Sequence, residues 1–154
     1  MSEKIDVSLV MGKYIPLNDL WDKLNLDKKN LISKLKYYTI DNWKWEGYKQ
    51  LICCNFNMPM NGKILYFAKD NQFMGYYYHE QGEYILDISF DVEYIITFDD
   101  INIWIDKLDK IIKCIKKEVL LKYAYIGEET YVVYSDNYNE MIDNSVGVIK
   151  WIID

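Results

Sequence analysis

From Tyr84 to Phe98 every even position is apolar: Tyr84, Leu86, Ile88, Phe90, Val92, Tyr94, Ile96 and Phe98. The odd positions, Glu83, Ile85, Asp87, Ser89, Asp91, Glu93, Ile95 and Thr97, are mostly polar. A period of two describes a strand with one face on a core and the other toward water or a partner. A two-residue hairpin turn would exchange the faces halfway along. The unbroken parity therefore predicts one long bent strand or a hairpin with an odd-length loop.

The rest of the chain supplies companions for that strand. Lys4 to Val10 alternates as a short strand or extended arm. Pro16 suits a first helical position, and Leu17, Leu20, Trp21 and Leu24 follow at helical spacing. Asp27 reads as the N-cap of a second helix over 28–38, burying Leu31, Leu35 and Tyr38. Trp43 and Trp45 share parity and lead into a strand over 48–56. Asn61-Gly62 marks a tight turn, after which strands over 63–69 and 72–79 precede the turn at Glu80-Gln81-Gly82. Ile101, Trp104, Ile105, Leu108, Ile111, Ile112, Ile115 and Val119 form one stripe of a helix over 99–123, capped by Asp99 or Asp100. Strands over 123–126 and 130–134, turning at Gly127-Glu128-Glu129, a polar link over 135–145 and a strand over 146–153 complete the chain. The predicted fold is α+β in a single domain, 1–154. An antiparallel meander of about six or seven strands is packed by the long amphipathic helix and an N-terminal helical pair.

Composition agrees with a folded core, since 51% of the 154 residues are hydrophobic and 16% aromatic. Met1-Ser2-Glu3-Lys4 leads into no apolar leader, and no apolar run approaches the roughly 20 residues of a membrane span. Cys53, Cys54 and Cys114 are odd in number and two are adjacent, the pattern of reduced thiols and a cytoplasmic setting. With one histidine and no C-x-x-C, no metal site or cofactor is expected.

Charge changes the picture more. The net charge is −6, but residues 70–106 carry nine carboxylates and no lysine, and residues 123–149 carry five carboxylates and no lysine. Both blocks are rich in tyrosine: Tyr76, Tyr77, Tyr78 and Tyr84 in the first, Tyr125, Tyr131, Tyr134 and Tyr138 in the second. Tyrosine offers large rigid contact area with a polar tip, and carboxylates around it complement lysine and arginine on a partner. The candidate partner-binding residues are Tyr78, Glu80, Glu83, Ile85, Asp87, Asp91, Glu93 and Ile95, with Ile85 and Ile95 as the dry centre of an acidic-rimmed interface.

Catalytic chemistry has little to stand on. Nucleophilic triads need a histidine base, and the only one, His79, sits beside Glu80 at a strand end. No phosphate-binding glycine loop or zinc-protease signature occurs, so no catalytic residues are expected and the chain is read as a binding protein. In size, acidity, aromatic surface and missing chemistry it resembles the immunity proteins of bacterial contact-dependent and other polymorphic toxin systems. That resemblance implies a cognate toxin domain, a basic (ribo)nuclease, whose active site is blocked sterically and electrostatically. The alternative is a phage or mobile-element protein. It would be an anti-defence inhibitor or a small helix-turn-helix regulator, with Lys28, Lys29, Lys34 and Lys36 facing phosphate. The acidic chain and the absence of arginine weigh against nucleic acid as partner.

Overall fold

The computed structural model describes residues 3–26, 36–41, 48–51, 63–69 and 71–153. The fold is α+β. Among the described residues, eight antiparallel strands form one sheet: β1 (Lys4–Met11), β2 (Lys36–Asp41), β3 (Tyr48–Leu51), β4 (Lys63–Lys69), β5 (Phe73–Glu80), β6 (Glu83–Asp91), β7 (Leu121–Tyr131) and β8 (Val146–Ile153). Their spatial order, β3-β2-β4-β5-β6-β1-β7-β8, is a meander only from β4 to β6. The N-terminal strand is inserted between β6 and β7, pairing Leu9 with Leu86 on one side and with Ala124 on the other.

The helices among the described residues are α1 (Leu17–Lys23), α2 (Val92–Ile95), α3 (Ile101–Ile115) and α4 (Tyr138–Asn144). One face of the sheet carries the core. Ile5, Val7, Leu9 and Met11 of β1 lie across from Phe90, Ile88, Leu86 and Tyr84 of β6, and all eight are buried. Trp104, Ile105, Leu108, Ile112 and Ile115 of α3 join the same cluster, and the Phe90 and Trp104 rings meet edge-on at 5.0 Å. Trp21 of α1 enters among Phe67, Phe73 and Phe90, at ring-centre distances of 5.8, 5.0 and 6.5 Å. Among the described residues no helix is long and apolar enough to cross a membrane.

Four expectations are corrected. The strand predicted to run to Phe98 stops at Asp91, and Val92–Ile95 coils into α2. Val92 and Ile95 would point to opposite faces of a strand but share one side of a helical turn, and the coil carries Ile95 into the core at 0% exposure. The helix predicted over 99–123 is shorter. Asp100 accepts hydrogen bonds from the Asn102 and Ile103 amides at its start. After Ile115, Leu120 adopts φ 49°, its amide donates to the Lys117 carbonyl and the Leu121 amide donates to the Lys116 carbonyl. These two bonds are a Schellman stop, here made with leucine where glycine is usual. In place of the predicted strand pair 123–126 and 130–134 there is one strand, β7, which ends at Tyr131 and leaves 132–134 outside the sheet. Gly127 is not a turn residue: a Cβ there would overlap the Gly147 carbonyl, so β8 can pass close only at a glycine. The polar link contains α4, capped by Asn137, whose Oδ1 accepts from the Asn139 and Glu140 amides.

Of the second predicted helix, 28–38, residues 36–38 belong to β2 and the remainder lies outside the described residues. Trp43, Trp45, Cys53, Cys54 and the Asn61-Gly62 turn lie outside them as well.

Candidate functional site

The side chains of β1 and β6 that point away from the core form rows across the second face of the sheet. The first row is Tyr78, Ile85, Val10 and Tyr123, on β5, β6, β1 and β7 in turn. The next is Tyr76, Asp87, Ser8, Tyr125 and Trp151, and the third begins with Met74, Ser89 and Asp6. The segment after β7 returns over this face, and Tyr138 meets the Tyr123 ring edge-on at 5.8 Å.

A groove of about 830 Å³ results, with Val10 and Ile85 at its base. Tyr78, Tyr123, Tyr134 and Tyr138 form its walls, while Glu80, Glu83 and Asp136 supply carboxylates. One lysine reaches it: Lys122 pairs with Glu83 at 2.9 Å. The two lysine-free blocks therefore meet. Glu80, Glu83 and Ile85 from the first share one concavity with Tyr134, Asp136 and Tyr138 from the second.

Beside the groove the polar groups are tightly knit. Asp87 accepts from Ser8 Oγ and, at 3.2 Å, from the Tyr78 hydroxyl. Asp6 accepts from Ser89 Oγ at 2.6 Å and from the Thr130 amide and hydroxyl at 3.1 and 3.0 Å. The two cross-strand pairs are reciprocal: an aspartate of β6 takes a serine of β1, and an aspartate of β1 takes a serine of β6. Tyr125 lies opposite Ser8 on β7, and its hydroxyl and that of Tyr134 both sense the Asp87 charge, which extends the polar cluster from Asp87 to the segment covering the face. Burial, the largest cause, pushes the hydroxyl pKa values of Tyr78, Tyr123, Tyr125 and Tyr134 upward, so at neutral pH they remain protonated donors.

Burial also pushes the Asp87 carboxyl up; Ser8 and Tyr78 offset part of this, while the Asp6 charge adds to it. The sign for stability follows. A carboxyl raised above its unfolded value of 3.8 keeps a proton in the folded chain where the unfolded chain has released it. Stability thus falls as pH rises from that value through the folded titration, the reverse of a salt-bridged carboxylate. Asp87→Asn should flatten this component. Urea unfolding of both proteins between pH ~4 and ~7 reads it as a difference in slope, and parallel curves would refute it.

The predicted partner-binding residues separate into two groups. Tyr78, Glu80, Glu83 and Ile85 line the groove, and Asp87 lines the neighbouring cavity. Asp91 is at the far end of β6, paired with Lys4 at 2.9 Å, and Glu93 is exposed on α2. Ile95 does not share a face with Ile85; it lies in the core. Val10, Lys122, Tyr123 and Ser135 join the groove without having been anticipated. Val10 carries a legible signal, being an even position of the first alternating strand. His79 and Glu80 make no acid–base couple across one site. As strand neighbours they point to opposite faces, and His79 stacks on Tyr84 at 4.3 Å.

No family model, curated protein or solved structure matches this chain.

Proposed function

We propose that this chain is a small acidic binding protein that neutralises a basic protein partner, in the manner of an immunity protein blocking the active site of a cognate (ribo)nuclease toxin. The observation that carries this reading is the convergence of two acidic, tyrosine-rich blocks on one concave face. A groove with an apolar floor, aromatic walls and three rim carboxylates against one lysine has the composition of a docking surface for lysine- and arginine-rich protein. A nuclease presents such a surface because its cleft must attract phosphate. An anti-defence inhibitor of phage origin would use the same face, and the identity of the bound protein separates the two.

The test begins with the tagged chain expressed in its native host and mass spectrometry of what co-elutes. A basic protein with nuclease activity that is lost on complex formation is the expected partner. The combined variant Glu80→Lys, Glu83→Lys and Asp136→Lys should weaken that complex at least about tenfold and make its affinity less sensitive to salt. Unaltered affinity in the triple variant would move the interface off this face.

A further inference from the structure

A second cavity of about 310 Å³ lies on the same face, between the Tyr76–Asp87–Tyr125 row and the Met74–Ser89–Asp6 row. Asp6 and Asp87 present carboxylates to it; Tyr76, Tyr125 and Met74 contribute its aromatic and aliphatic surface, and Thr130 closes one side. Taking the docking-face reading as its premise, we propose that this cavity receives one arginine side chain of the partner. Its guanidinium would lie against Asp6 and Asp87 and its flat face along a tyrosine ring.

Three observations carry the proposal. The first is an unbalanced charge. The six ion pairs among the described residues engage Asp91, Glu118, Asp99, Asp109, Glu83 and Asp106, and none engages Asp6 or Asp87. Asp87, whose carboxyl pKa is pushed up by burial, stands beside the partly exposed Asp6 with no cation of the described residues between them, and an incoming cation relieves that unfavourable charge. The second is acceptor capacity. A carboxylate offers about four lone-pair sites. Ser8 and Tyr78 occupy one on each oxygen of Asp87, and Ser89 occupies one on Asp6 Oδ1. The Thr130 amide and hydroxyl occupy both sites on Asp6 Oδ2. One site therefore remains on Asp6 Oδ1 and one on each oxygen of Asp87, the latter open to the fork of N–H donors that arginine carries and lysine lacks. The third is the wall. A planar, weakly hydrated guanidinium gains from tyrosine faces in a way that a compact hydrated ammonium does not.

Charge–charge balance within the site is consistent with this occupant. Asp6 from β1, Tyr76 and Tyr78 from β5, Tyr123 and Tyr125 from β7 and Tyr134 from the covering segment surround Asp87, and among these described groups none is cationic. A bound guanidinium would draw the Asp87 carboxyl down and release its proton, so arginine should bind more tightly as pH rises through the Asp87 titration.

The experiment titrates the isotopically labelled full chain with acetyl-arginine amide, acetyl-lysine amide, acetyl-norleucine amide and a hexalysine peptide, following backbone amide shifts. Arginine amide should produce saturable shifts at Asp6, Asp87, Ser89 and Thr130, with lysine amide weaker and norleucine amide silent. Asp87→Asn should weaken arginine binding about tenfold, the worth of one charge-assisted pair. Met74→Trp, which fills the cavity, should abolish it while leaving hexalysine shifts at Glu80 and Glu83 in place. Absence of saturable arginine shifts in the unmodified chain overturns the pocket, as does equal binding of lysine amide or survival of the shifts in Met74→Trp. Hexalysine shifts at Glu80 and Glu83 without arginine shifts would leave the docking face standing and remove only the pocket. Loss of both removes both.

Discussion

Trp21→Ala should lower the free energy of unfolding by about 3–5 kcal/mol, the range found when a buried aromatic is truncated and its cavity cannot collapse. Trp21 is 1% exposed on a seven-residue helix, and its ring touches Phe67, Phe73 and Phe90 from three different strands. Its Nε1 has no hydrogen-bond partner among the described residues, so packing rather than polar anchoring gives the side chain its value. Trp21→Phe should consequently cost far less, about 1 kcal/mol, because it keeps most of the ring and removes a buried donor. Urea unfolding monitored by far-UV circular dichroism gives both numbers. Equal losses for the two variants would show that the indole is held by something other than ring packing.

Gly75→Val should be nearly as damaging, at about 3 kcal/mol. Gly75 occupies a core-facing position of β5 between Phe73 and Tyr77, and a Cβ there would fall within the Phe67 ring. The glycine is what lets Phe67 lie flat across β5 and reach Trp21. On a Phe67→Leu background the same substitution should cost at least about 1 kcal/mol less, because the two residues contend for one volume. A double-mutant cycle measures that coupling. Additive losses would show that the ring swings aside and that Gly75 serves only the backbone.

These positions also show what was legible along the chain. The alternation of β6 specified its buried face correctly, and Tyr84, Leu86, Ile88 and Phe90 all reach the core. It failed at Val92–Ile95, where Ile95 breaks the alternation and its three-residue spacing from Val92 fits a helical turn instead. Gly127 was read as a turn because punctuation by glycine is ambiguous between reversal and close approach, and only the neighbouring strand decides. The groove was half visible: its carboxylates and tyrosines stood out in two separate segments. Nothing local could reveal their meeting, because it depends on β1, from the other end of the chain, lying between β6 and β7. Such non-local pairing leaves no mark within the window that periodicity reads.

That inserted strand must also find its partner without a hairpin to guide it, and the reciprocal Asp–Ser pairs bear on how it does so. A slip of one residue would turn the apolar side of β1 to water and is rejected by hydrophobicity. A slip of two keeps every apolar residue facing the core, so burial alone would tolerate it. In the native alignment Asp6 faces Ser89 and Ser8 faces Asp87. Two places one way sets Asp6 opposite Asp87; two places the other way sets it opposite Asp91. Either error confronts carboxylate with carboxylate across adjacent strands, which is destabilising. One aspartate thus edits out both misalignments that the core would accept, and the acidity of this face serves the folding of the sheet before any partner arrives.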